Sequence, residues 1–113
     1  MLYRIHLGLT DENGLETTEG ERSEAMRLLD GAEGIDGYTL LRGSGGCAGF
    51  PPEECWVVEI YTHAPPDPPH GVPAAVSALA EDLGRALGQR EVLIGALPAL
   101  TYTVDSLPNG AGE

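Results

Sequence analysis

The sequence predicts an α+β domain with the order β-α-β-β-α-β, and three observations lead there. Residues 2–9 and 55–62 alternate apolar and polar side chains with the period of two that a half-buried strand requires. Thr18-Glu19-Gly20-Glu21 opens one helical segment, and Val76, Leu79, Ala80, Leu83 and Leu87 mark the face of a second at helical spacing. A chain of 113 residues holds one domain with a modest core and is too short to divide further.

In the first strand Tyr3, Ile5, Leu7 and Leu9 share one face and Leu2, Arg4, His6 and Gly8 the other. Asp11 to Gly14 reads as a turn. Thr18 is the N-cap of a short helix and Glu21 its N3 partner; Ala25, Met26 and Leu29 line one face, and Gly31 and Gly34 end it. The acidic first turn suits the positive end of the helix dipole. Tyr38 to Arg42 is a second strand. The glycine- and proline-rich run from Gly43 to Pro52 reads as the loop after it. Cys55 to Thr62 is a third strand, with Trp56, Val58 and Ile60 on one face and Val57, Glu59 and Tyr61 on the other. Five prolines between Ala64 and Pro73 make an extended linker, and Pro73 suits the first turn of the second helix, 74–87, which Gly88 closes. Glu91 to Leu97 is a fourth strand. Leu100 to Val104 is either its continuation past a kink at Pro98 or an extra strand.

This order is the split βαβ, or ferredoxin-like, arrangement: two helices on one face of an antiparallel sheet, with the first strand beside the third. Residues 1–105 make the domain and 106–113 a frayed tail. Matching apolar faces puts Ile5, Leu7, Val58 and Ile60 under the helices and leaves Arg4, His6, Val57, Glu59 and Tyr61 on the open face. That face mixes apolar, aromatic and ionisable groups. A solvated face would be more polar, and a plain core face would lack Arg4 and Glu59, so a second copy or a ligand is expected to cover it. Arg4 and Glu59 are placed to pair across neighbouring strands.

Charge narrows the function classes. Six arginines and no lysine stand against 18 carboxylates, a formal net charge of −12. The absence of lysine excludes Schiff-base chemistry on a side chain and a P-loop. The arginines form no basic stripe for nucleic acid. Nine of the 18 acids lie between Asp11 and Asp36, which reads as a solvated helix face or as a surface that docks a basic partner. No apolar run approaches the ~20 residues of a membrane span. The opening Met1-Leu2-Tyr3-Arg4 has no leader pattern, so a cytoplasmic location is expected. Cys47 and Cys55 flank a turn-rich segment and read as free thiols or a single bridge. With His6, His63 and His70 they match no metal spacing, so neither metal nor cofactor is expected.

The stretches Tyr3–Leu9, Gly37-Tyr38-Thr39-Leu40-Leu41-Arg42-Gly43-Ser44-Gly45-Gly46, Cys55–Ile60 and Leu87–Leu93 together resemble a group of small bacterial proteins known as a domain of unknown function. That resemblance implies the fold and no activity. Gly46-Cys47-Ala48-Gly49, Glu53-Glu54 and the strand Trp56–Tyr61 are similar to the hairpin of the CutA and PII-like trimeric sensors. This resemblance implies a ferredoxin-like oligomer with sites between subunits; it transfers no catalytic residue.

No nucleophile, base and orienter can be named together. Ser44 does not sit in a Gly-x-Ser-x-Gly elbow before a helix. The expected function is therefore a non-enzymatic homo-oligomer, dimer or trimer, that binds or sequesters a small molecule of anionic or nucleotide type. Arg4, His6, Arg42, Glu59 and Tyr61 are its contacts, with arginine supplying bidentate anion recognition. One alternative is an acidic interaction module that blocks a nucleic-acid-binding partner. Another is a small dimeric α+β barrel enzyme using His6 and Glu59 as its acid–base couple.

Overall fold

The computed structural model describes residues 2–11, 13–46, 52–68, 71–98 and 104–106. Its elements are β1 (Leu2–Gly8), α1 (Glu19–Asp30), β2 (Gly37–Gly45), β3 (Glu53–Tyr61), α2 (Ala74–Ala86) and β4 (Leu93–Leu97). The four strands form one antiparallel sheet in the order β2-β3-β1-β4, the ferredoxin-like arrangement. β1 lies between β3 and β4, so its side chains hold the centre of both sheet faces.

The period-two pattern decides which face is buried. Tyr3, Ile5 and Leu7 of β1 and Trp56, Val58 and Ile60 of β3 are all buried beneath the helices. Ala25 and Leu29 of α1 and Val76, Leu79, Ala80 and Leu83 of α2 close the core from above, with Leu87 just beyond. A one-residue slip in β1 would expose all three of its core side chains, so the register keeps odd-numbered residues of β1 inward, with Ile5 opposite Val58 and Ile94.

α1 begins with the expected capping box. Glu21 donates its backbone N–H to Thr18 Oγ1 at 3.1 Å, and the Thr18 N–H is accepted by Glu21 Oε1 at 2.8 Å. α2 starts differently. Pro73 is its N-cap and offers no side-chain acceptor; instead Asp67 reaches back from the proline segment, its Oδ2 accepting the Ala74 N–H at 2.9 Å. The segment read as a plain linker thus carries a cap, and it is closed further by an Asp67–Val72 bridge. Gly88, with φ of 68°, ends α2 in the left-handed region as its position after the last helical turn requires.

Three strand boundaries differ by two residues or more from the expectation: β3 begins at Glu53 instead of Cys55, and the others are the end of β2 and the start of β4. Gly43-Ser44-Gly45 is strand, not loop: Gly43 pairs with Cys55, Ser44 with Glu54 and Gly45 with Glu53. The partner strand supplies the ladder hydrogen bonds there, which overrides the poor strand propensity of glycine. β4 starts at Leu93 instead of Glu91. Val104 is described without regular structure, whereas 99–103 and the proposed tail from 107 onward lie outside the described residues, as does Cys47. Cys55 carries a free thiol. Among the described residues no helix is long and apolar enough to cross a membrane.

Candidate functional site

The open face of the sheet is built in rows across β2, β3, β1 and β4. One row reads Gly37, Tyr61, Leu2, Leu97; the next Thr39, Glu59, Arg4, Gly95; the third Leu41, Val57, His6, Leu93. Beyond the end of β4 the hairpin continues with Gly43, Cys55 and Gly8. Alternation alone sends these side chains away from the helices. Nothing among the described residues covers them fully: Leu41, Leu93 and Leu97 are 45%, 68% and 37% exposed.

The second row holds the face's charges. Arg4 Nε donates to Glu59 Oε2 at 2.8 Å, with the two side chains 43% and 14% exposed. The carboxylate therefore grips the inner nitrogen of the guanidinium, and the terminal nitrogens have no hydrogen-bond partner among the described residues. A guanidinium held this way loses little freedom on taking up an anion, and its planar fork suits a carboxylate or phosphate. Exposed His6 lies one row over, in register with Val57 and Leu93. Between β2 and β3, Thr39 Oγ1 and Tyr61 Oη stand 3.4 Å apart.

Arg4, His6, Glu59 and Tyr61 are thus brought together on one face as the alternation implies. Arg42 is not with them. It pairs with Trp56 in register, which puts it on the helix side of the sheet, in a groove beside α1. The apolar alternation of β2 carried this information, because Tyr38, Leu40 and Arg42 share a face. The His6–Glu59 couple is not formed either: Glu59 is engaged by Arg4, and His6 makes no hydrogen bond among the described residues. The sequence reading assigned no role to Leu93 or Leu97, whose place on the open face follows only once β4 is registered against β1. At one end of the face Gly8 is closely approached. A Cβ there would lie 2.8 Å from Gln89 Oε1 and 3.0 Å from Glu53 Oε1, so glycine lets those two side chains close over the strand end. Gln89 is held in turn by donating to the Thr10 carbonyl at 2.8 Å.

Elsewhere, Asp36 accepts from both the backbone N–H and the ring Nδ1 of His63, each at 2.7 Å. The side-chain bond to His63, then the backbone bond, hold the Asp36 carboxyl below its ordinary value. A lowered carboxylate pKa adds stability above the unfolded value and loses it as pH falls through the folded one. Asp36→Asn is accordingly expected to be less stable than the parent at neutral pH, with the gap closing below the ordinary value of 3.8. Urea midpoints of the two proteins from pH 7 to pH 2.5 test this; a constant gap would contradict it. Among the described residues no three His, Cys, Asp or Glu side chains are placed to hold a metal ion.

No family model and no curated protein matches the chain. Solved structures do resemble it. A DUF3240 family protein from Shewanella baltica superposes with a TM-score of 0.55 at 15% identity, over 93% of this chain and 96% of that one. A phage SAM lyase in complex with S-methyl-5'-thioadenosine gives a TM-score of 0.48 at 17% identity, over 82% of this chain and 76% of that one. The likeness to the bacterial domain of unknown function therefore holds for the fold across nearly the whole chain, at an identity that says nothing about the site.

Proposed function

We propose that this chain is a non-enzymatic homo-oligomer, a dimer or trimer, that binds a small anionic molecule where the open sheet face meets another copy. One observation carries the reading: three exposed leucines stand in the rows on either side of a guanidinium that its carboxylate partner fixes through the inner nitrogen alone. Apolar rows of this kind gain by being removed from water, and oligomers do so with the fewest new surfaces. Burial between copies would also lower the local dielectric, which strengthens the attraction of Arg4 for an anion. His6 would add a ring N–H as a second donor. The enzymatic alternative has less support, since its acid–base couple is not in contact. The acidic stretch from Asp11 to Asp36 serves here as a solvating surface.

Light scattering and thermal unfolding test the reading together, with inorganic phosphate, citrate and AMP as probes. The expected mass is that of two or three chains. At about 100 times its dissociation constant a bound anion contributes about 2.7 kcal/mol, enough to raise the midpoint by about 10 °C in a domain this size. Arg4→Ala should abolish that rise while the protein still unfolds cooperatively. A single-chain mass at high concentration with no response to any of the three probes would sink the proposal.

A further inference from the structure

We infer that the groove between α1 and the helix-facing side of β2 and β3 is a second binding site, for a small zwitterion with an apolar body. It lies across the sheet from Arg4 and does not depend on the open face or on oligomerisation. The groove encloses ≈ 880 Å³, within the range of small-molecule sites. On the helix side of β2 Leu40 stays only partly buried and Arg42 exposed, so the outer strand's inner face is left open beside α1. Trp56 and Leu40 line it from the sheet and Met26 from the helix.

Its charges are of both signs. Arg22, Arg27 and Arg42 line this one groove, half of the six arginines in a chain with 18 acids. Glu16 and Glu54 are among the carboxylates that face them. Arg27 is already held by Glu24, its Nε donating to Oε2 at 2.8 Å, but Arg22 and Arg42 are poorly matched to the carboxylates around them. Arg42 makes no ion pair or hydrogen bond among the described residues. Arg22 spends its Nε on Thr17 Oγ1 at 2.9 Å, and its Nη2 stays 3.9 Å from Glu54 Oε2, beyond hydrogen-bond length. A bare anion entering here meets the carboxylates, and a bare cation meets the guanidinium groups. A molecule that carries a carboxylate and an ammonium on an apolar frame satisfies both sets and lays its frame on Trp56 and Leu40. A free amino acid with an aliphatic side chain has this chemistry.

The chain contains one tryptophan, Trp56, so its fluorescence reports this groove and the core beneath it, and calorimetry is needed beside it. L-leucine is the probe, followed by Trp56 emission and in parallel by calorimetry. 4-Methylpentanoate supplies its carboxylate without the amine, and 3-methylbutylamine the amine without the carboxylate. L-leucine is expected to change the emission and to bind at least about tenfold more tightly than either half, the worth of one charge-assisted hydrogen bond. Arg42→Ala, an exposed position whose loss leaves the core intact, should weaken L-leucine by a similar factor. Arg4→Ala should leave it unchanged, which separates this site from the open face. Equal binding of L-leucine and either half, an Arg42→Ala protein that binds like the parent, or no signal from L-leucine by either method would overturn the inference.

Discussion

Leu93→Glu is expected to give a folded chain that no longer self-associates. Leu93 is 68% exposed within one chain, on the outer strand β4, and completes the row Leu41, Val57, His6, Leu93. In the single chain a carboxylate at that position stays in water, so the unfolding free energy should move by no more than about 0.5 kcal/mol. In the proposed contact between copies the same carboxylate would be stripped of water, and a closed symmetric assembly would repeat the penalty in each subunit. At about 1–3 kcal/mol for each buried polar group without a partner, the dissociation constant of a dimer should rise at least about thirtyfold. Added negative charge on a chain of net charge −12 would also weaken association at any position. Leu15→Glu controls for this: Leu15 is 65% exposed in the turn before α1, away from the sheet. Concentration-dependent light scattering should show Leu93→Glu as single chains and Leu15→Glu as the parent oligomer. If both variants dissociate alike, net charge and not the sheet face controls assembly.

The alternation in β1 and β3 made the sheet's two faces legible without coordinates, because each strand commits every second residue to the core. The same rule located Arg4 beside Glu59, since matching the buried halves of two antiparallel strands also matches their open halves. The capping box at Thr18 was legible for a similar reason: its residues are three apart and need no tertiary partner. Where the sequence misled, a distant partner decided the outcome. Gly43 to Gly45 is strand because β3 is long enough to pair with it, and no local property of Gly-Ser-Gly announces that. Asp67 caps α2 from seven residues away, in a segment whose prolines suggest only an extended chain. Arg42 was grouped with Arg4 on the ground of charge, although its register with Trp56 puts it on the other face. The groove it lines depends on how far α1 extends over the sheet, a packing property that no residue pattern encodes.

Leu83→Ala should have the opposite signature to Leu93→Glu, strongly reducing stability while leaving the open face as it was. Leu83 is wholly buried on α2, between that helix, the sheet and α1. Removing its side chain forfeits burial and leaves a cavity, a loss of about 2–5 kcal/mol depending on how far the surroundings collapse. Collapse is obstructed here by the next residue. Gly84 is also buried, and a Cβ on it would lie 2.6 Å from Val92 Cγ2, so α2 already stands as close to the segment entering β4 as a glycine allows. The helix cannot settle further inward to fill the space at position 83. The loss should therefore fall in the upper half of the range, about 3.5–5 kcal/mol. Against the usual 5–15 kcal/mol of a domain, that is about a quarter or more of the total. Urea denaturation of the single-chain Leu93→Glu background, with and without Leu83→Ala, measures the term free of any contribution from association. An unchanged slope with a markedly lower midpoint is expected. A loss under about 1 kcal/mol would mean that α2 does move in, and that Gly84 does not set the spacing between that helix and its neighbours.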